Sequence, residues 1–111
     1  NFYHGLMLGL CAMFDNRYLV DSNRESGEGR YDIALYPKDK KLPGIIIELK
    51  AQKHCADDEL KKLSQEALEQ INVRQYDARM KELNVGRVLK YGVAFSGKQV
   101  EITEETRGEY K

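Results

Sequence analysis

The sequence predicts an α/β domain with a mixed central sheet flanked by two helices. Two observations lead to this prediction: two segments whose apolar residues suit helices, and several short runs of β-branched and aromatic residues that suit strands. In chain order the segments are a helix, three strands, a helix and two strands. At 111 residues the chain has the length of one domain, and with no methionine before Asn1 we expect it to be a fragment of a longer protein.

The first half of the chain supplies one helix and three strands. Residues 2–14 contain no proline and no β-branched residue, which favours a helix with apolar residues on most faces. A short strand is predicted at 18–20, and a second one at 30–36 after a polar loop. Three consecutive isoleucines open the segment 45–50, and such a run favours a buried central strand.

The second half begins with a long amphipathic helix, predicted over 57–83 because apolar residues recur at intervals of three and four. Three acidic residues stand in its first turn, where negative charge complements the helix dipole. Gly86 is expected to end this helix. Strands are predicted at 88–95 and 100–103, and residues 96–99 would join them as a hairpin.

Composition excludes several classes of protein. With 41% hydrophobic and 32% charged residues, the chain is too apolar for a disordered segment and too polar for a membrane protein. The 18 basic and 18 acidic residues balance, so nucleic-acid binding would depend on local charge. Cys11 and Cys55 have no ligand spacing around them, which argues against a zinc site or a disulfide framework. We expect a cytoplasmic protein without a membrane partner, since the longest apolar run, 5–14, is too short to span a bilayer.

Charged residues in the predicted sheet form the main candidate site. Side chains alternate along a strand, so Glu48 and Lys50 share one face with Ile46. The preceding strand carries Asp32 among apolar residues. If the two strands form a hairpin around the lysine-rich turn 37–44, the pairing centres on Lys40 and places Asp32 opposite Glu48.

Two carboxylates about 4 Å apart repel by roughly 4 kcal/mol at an effective dielectric constant near 20. A positive charge is therefore expected between them, from Lys50 or from a divalent cation such as Mg²⁺ or Mn²⁺, which prefers oxygen ligands. A metal held there could polarise a phosphoryl oxygen and activate water, while Lys50 orients that water. The alternative is a buried network of ion pairs without catalysis.

Five sequence blocks in order resemble the PD-(D/E)XK nuclease superfamily, and more narrowly the domain found C-terminal to AAA-ATPase-like regions in bacterial proteins. The resemblance covers residues 1 to about 100 and implies a restriction-endonuclease-like αβββαβ core. The blocks are NFYHGL (1–6), SNRESG (22–27), GRYDI (29–33), GIIIELK (44–50) and GVAFSGK (92–98).

The resemblance implies a metal-dependent nuclease acting on nucleic acid, with DNA as the expected substrate. Asp32 and Glu48 would be metal ligands, the Leu49 carbonyl a third ligand, and Lys50 the catalytic lysine. An AAA-ATPase-like region would precede this domain in the full-length protein. Many members also use an acidic residue on the first helix, but residues 1–14 contain neither Asp nor Glu. In close relatives this acidic residue often lies just upstream of the segment that matches Asn1, so one alternative is that only the full-length protein cleaves. The other is a catalytically degenerate domain that serves as a binding or assembly module of a larger protein.

Secondary site candidates have ordinary structural interpretations beside the functional ones. Glu25 could reach the metal or be a solvated loop residue, and His4 could contact the scissile phosphate or be an ordinary helix histidine. Gln70 and Tyr76 lie on the long predicted helix, where family members often place a polar residue near the active site. Several basic residues could form a phosphate track or a solvated surface: Arg24, Arg30, Lys53 and the turn lysines Lys38, Lys40 and Lys41.

Residues 92–98 also match the GxxxxGK pattern of nucleotide-binding loops. The next residue is Gln99, so the hydroxyl that would hold Mg²⁺ is missing. A strand is predicted after it, whereas a phosphate-binding loop opens a helix. We therefore interpret this segment as a hairpin. His54 and Cys55 are adjacent, lack ligand spacing and are expected to be bystanders.

Overall fold

A computed structural model of the chain describes residues 2–14, 16–24, 30–73 and 76–108. Within these ranges the chain forms the α/β architecture that the sequence predicts. The elements are α1 (Phe2–Phe14), β1 (Tyr18–Arg24), β2 (Arg30–Pro37), β3 (Gly44–Ala51), α2 (Asp57–Val73), α3 (Tyr76–Glu82), β4 (Arg87–Ser96) and β5 (Gln99–Gly108).

The five strands form one sheet in the order β1-β2-β3-β4-β5. Neighbouring strands are antiparallel except β3 and β4, which are parallel. A parallel pair needs a crossover connection, and α2 provides it. The sheet is therefore mixed, as predicted.

The β2–β3 hairpin has the predicted register. Asp32 lies opposite Glu48, and the connecting turn is centred on Lys40. Strands β2 and β3 lie inside the sheet, with a strand on either side of each. Both of their faces are covered by packed residues, so their side chains are apolar apart from the charged positions. This register places the candidate carboxylates next to each other in the middle of the sheet.

Two apolar layers hold the sheet, one on each face. Ala34 and Ile46 pack with Ile71 of α2 and Met80 of α3 on one face. On the opposite face a second cluster contains residues of β2 and β3, and the side chains of α1 that pack against it are Leu10 and Phe14. The carboxylates belong to the face covered by α2 and α3, because they alternate with the residues of the second cluster.

Some predicted boundaries were wrong. The span 57–83 contains two helices, α2 and α3, and the apolar period fails between Ile71 and Met80, where they meet. Asn84 rather than Gly86 caps α3: its φ is 57°, and the Val85 N–H donates to the Met80 carbonyl over 3.0 Å. Asparagine tolerates this left-handed conformation.

The two edge strands are longer than predicted, since β1 runs to Arg24 and β5 covers Gln99–Gly108. Both strands contain many polar residues, so their full length does not show as an apolar run in the sequence. Neither α1 nor any other helix in the described ranges is long and apolar enough to cross a membrane.

Candidate active site

The candidate active site lies on a row of register neighbours that crosses the sheet. Asp32 of β2 is beside Glu48 of β3, which is beside Gly92 of β4. Lys50 lies two residues further along β3 and therefore on the same face. All three charged side chains are buried: Asp32 is 2% exposed, Glu48 0% and Lys50 5%. Charged groups are almost never buried to this extent unless they are paired or bind a metal.

Tyr76, a secondary candidate from the sequence, lies at this site. Its hydroxyl donates a hydrogen bond to Asp32 Oδ2 over 2.5 Å. A hydrogen bond to a carboxylate fixes the orientation of the group and favours its charged form. Tyr76 is the first residue of α3, so this hydrogen bond joins the start of that helix to β2.

The donor set at this row fits a hard divalent cation. Asp32 Oδ1 and both carboxylate oxygens of Glu48 are buried and accept no hydrogen bond from the described residues. Groups of three or more His, Cys, Asp and Glu side chains suited to a metal are absent from the described part of the chain. Mg²⁺ does not require such a group, since it commonly binds one or two carboxylates, retains waters and contacts substrate phosphates.

Leu49 separates Glu48 from Lys50 and points the other way. Its side chain is buried in the apolar cluster on the opposite face of the sheet, packed with Tyr31 and Ile33. Only the backbone carbonyl of Leu49 is therefore available as the expected third ligand.

Sequence reasoning missed Lys90. This lysine of β4 has no exposed surface, and its Nζ lies 2.8 Å from Oδ2 of Asp77 on α3. It is the register neighbour of Ile46, one side-chain step along the strand from the row of Glu48. Lys90 shares one face of β4 with Val88 and Gly92, and this spacing could have indicated a buried position. A lone lysine in a strand, however, gives no local sign of its ion-pair partner.

Gly92 explains part of the GxxxxGK pattern. A Cβ atom at this position would collide with the Ser64 carbonyl oxygen and approach the Leu68 nitrogen to 2.6 Å. The glycine thus lets the backbone of α2 approach β4 closely. Gly97 has a φ of 58° in the β4–β5 hairpin, and a strand follows it. The segment is a hairpin, as predicted.

The structure describes only some of the remaining sequence candidates. Gln70 is half-buried on α2, and its buried Oε1 accepts no hydrogen bond from the described residues. Glu25 and the side chains of His4 and Arg24 lie outside the described residues. Exposed Arg30 is the register neighbour of Lys50.

The sheet separates the basic residues of the proposed phosphate track into two groups. Arg30 and Lys53 lie toward the end of β3 that carries Lys50. Lys38, Lys40 and Lys41 lie around the β2–β3 turn, at the opposite end of the strand. Gly44, where β3 leaves that turn, is four residues from Glu48, or about 13 Å in an extended strand. The turn lysines and the carboxylates therefore do not form one compact cluster.

Lys53 borders an open pocket of about 370 Å³ beyond the carboxyl ends of β3 and β4, whose walls also include His54, Cys55, Ser96, Gly97 and Gln99. The Cys55 N–H donates to Ser96 Oγ over 3.0 Å. Burial raises the pKa of the Cys55 thiol, and the carboxylates of Glu59 and Asp58 raise it further. A raised pKa lowers the fraction of thiolate, so Cys55 is expected to react more slowly than an ordinary thiol.

Comparison with known proteins agrees with the geometry. A sheet with an Asp on one strand opposite a Glu-x-Lys on the next defines a nuclease-like domain, and the family model described as PD-(D/E)XK nuclease superfamily matches residues 1–105. The chain belongs to this superfamily, as its sequence blocks indicated. A search of curated proteins gives no match.

Proposed function

We propose that the protein is a metal-dependent nuclease that hydrolyses phosphodiester bonds of nucleic acid, with DNA as its substrate. The observation that supports this most directly is the register of β2 and β3, which sets Asp32 opposite Glu48 with Lys50 on the same buried face. Apolar residues would stabilise a sheet at these positions at lower cost. The cost of burying three charged side chains together therefore supports a catalytic role for them.

Each residue has a distinct role in this proposal. Asp32 and Glu48 would hold Mg²⁺ or Mn²⁺ together with the Leu49 carbonyl. A bound metal would supply Lewis-acid chemistry, polarising a phosphoryl oxygen and lowering the pKa of water. The Lys50 ammonium orients the attacking water and offsets negative charge that develops on the phosphate. Tyr76 holds the Asp32 carboxylate in one orientation through its hydrogen bond.

A second function is favoured by one observation. Residues 1–14 lack the acidic residue that many superfamily members place on the first helix. A domain without cleavage activity would then serve as a binding or assembly module, following an AAA-ATPase-like region in a larger protein. Retention of Asp32, Glu48 and Lys50 argues for catalysis, because a scaffold has no need of three buried charges close together on one face of the sheet.

Metal binding and cleavage separate the two functions. Calorimetry with Mg²⁺ and Mn²⁺ is performed on the wild-type chain and on Glu48→Gln, and plasmid and single-stranded DNA are incubated with the same samples. We expect binding and cleavage in the wild type and the loss of both in Glu48→Gln. Lys50→Ala should reduce cleavage at least 100-fold, since groups that transfer or orient protons typically contribute about 10²–10⁴. Asp32→Asn should reduce cleavage at least as much, because it removes the charge of a metal ligand.

The matched control is Lys62→Ala, an exposed substitution on α2 that should leave cleavage unchanged. Circular dichroism verifies that all variants are folded. Cleavage at the wild-type rate by Asp32→Asn or Lys50→Ala would refute the active-site assignment. Absence of metal binding at millimolar concentration in the wild-type chain would favour the assembly module.

A further inference from the structure

Two adjacent residues in the first turn of α3 form polar contacts with the sheet, in addition to the apolar packing of Met80 and the position of the Arg79 guanidinium over the Tyr36 ring. The Tyr76 hydroxyl donates to Asp32 on β2, and the Asp77 carboxylate forms an ion pair with Lys90 on β4. Strand β3, which carries Glu48, lies between these two strands. The start of α3 therefore bridges the strand that holds the second candidate metal ligand.

The ion pair is unequal in its exposure. Lys90 is completely buried, whereas Asp77 is 34% exposed. A buried ammonium is costly unless charged and polar groups compensate it. The Lys90 ammonium fixes the position of Asp77 relative to β4, because a lysine side chain buried in the core has little freedom to follow a moving helix.

One hydrogen bond cannot by itself fix a short helix on a sheet. Met80 packs into the core and anchors α3 one turn further on, but apolar packing does not set the direction of the first turn as polar contacts do. With Tyr76 as its only polar contact, the first turn could shift and withdraw the hydroxyl from Asp32. The ion pair, on a strand about 10 Å away across two strand spacings, restricts that shift. The orientation of the Asp32 carboxylate thus depends in part on the ion pair between Asp77 and Lys90.

We propose that Lys90 and Asp77 are positioning residues for the metal site: their ion pair holds α3 so that Tyr76 orients Asp32 toward the cation. This inference rests on the proposed metal-dependent function. It assigns to the buried lysine of β4 a role distinct from that of Lys50, which lies on the central strand beside Arg30 and Ala94. Outer hydrogen-bonding partners of metal ligands typically contribute 10–100-fold in metal affinity.

The test removes both charges of the pair together. Lys90→Met combined with Asp77→Asn leaves the net charge unchanged and leaves no single charge buried alone. The dissociation constant for Mn²⁺, measured by calorimetry, should rise about tenfold. Tyr76→Phe should raise it by a similar factor. Because all three residues act through one hydrogen bond, the triple variant should show about the same tenfold rise and not a hundredfold one.

Two controls separate positioning from general stability. Lys81→Met with Glu82→Gln removes a charge pair from exposed positions of the same helix, and Ile71→Val loosens the core under α2. Neither should change the Mn²⁺ dissociation constant by more than twofold. Asp77→Glu, which keeps the carboxylate, should restore most of the affinity lost in Asp77→Asn.

The outcomes distinguish the inference from the function on which it rests. If the wild-type chain does not bind Mn²⁺, the proposed metal-dependent function fails. The positioning role is refuted if the wild type binds Mn²⁺ but the Lys90→Met/Asp77→Asn variant binds equally well. Multiplicative effects of the ion-pair and Tyr76 substitutions would also refute it, because the ion pair would then act independently of Tyr76.

Discussion

Replacing Gly92 with alanine should destabilise the protein by about 3 kcal/mol, at the upper end of the usual cost of overpacking a core. The new Cβ would meet the Ser64 carbonyl oxygen, lie 2.6 Å from the Leu68 nitrogen and 3.0 Å from the Leu68 Cβ. Two of these three atoms belong to the backbone of α2, which cannot rotate away as a side chain can. To restore ordinary contact, the helix must move away from β4 by about 1 Å, and contacts along its buried face weaken.

Denaturant unfolding followed by circular dichroism measures this loss. For a chain of this length 1 kcal/mol corresponds to about 4 °C, so the melting temperature should fall by about 12 °C. The matched control is Gly9→Ala on α1, where a Cβ atom would meet nothing within 4 Å. That variant should be more stable than wild type by about 0.5–1 kcal/mol, because alanine favours a helix more than glycine does.

A free energy of unfolding for Gly92→Ala within 0.5 kcal/mol of wild type would refute the close approach of α2 to β4. The same variant also tests the site, since Gly92 is the register neighbour of Glu48. A displaced α2 would admit water to the Glu48 carboxylate. We expect weaker Mn²⁺ binding in this variant even at temperatures where it is fully folded.

Three further predictions concern groups outside the site. Because its pKa is raised by burial and then by Glu59 and Asp58, the Cys55 thiol should react with iodoacetamide more slowly in the folded than in the unfolded chain at pH 8.5, as measured by mass spectrometry; equal rates would contradict this. Burial also raises the pKa of Tyr36, so the folded state holds the phenol proton more tightly than the unfolded state does. The free energy of unfolding should therefore decline as the pH rises above 10.0, the ordinary pKa of tyrosine. Tyr36→Phe should flatten that decline in a series of unfolding measurements, and an unchanged slope would show that Tyr36 does not cause it. Ser64→Ala removes a 2.7 Å hydrogen bond to Thr103 Oγ1 and should cost about 1 kcal/mol in denaturant unfolding, whereas no loss would mean that solvent replaces the bond.

The sequence predicted the central part of the site because that part depends on local rules. Alternation along a strand determines that Glu48 and Lys50 share a face. A hairpin closed by a short turn fixes its own register, which is why arithmetic around Lys40 correctly placed Asp32 opposite Glu48. The membership of the superfamily followed from residues in the same segments.

Predictions that extended a local pattern too far were wrong. The period of three and four continued weakly past Ile71, so two helices were predicted as one. The cap of α3 was assigned to the nearest glycine, although Asn84 adopts the required left-handed conformation. The phosphate track was drawn from basic residues near one another in sequence; the structure places the turn lysines at the end of β3 opposite Lys50, and binding of nucleic acid by these residues stays a prediction.

The sequence by itself determined the α/β fold class, the hairpin and the opposed carboxylates, since each depends on residues a few positions apart or on a single turn. Only the tertiary structure revealed the contacts of α3. Tyr76 and Asp32 are 44 positions apart, and Lys90 meets Asp77 across 13 positions that include a helix end and a strand start. Such pairs form because packing of α3 on the sheet brings them together, and no periodicity within either segment specifies that packing.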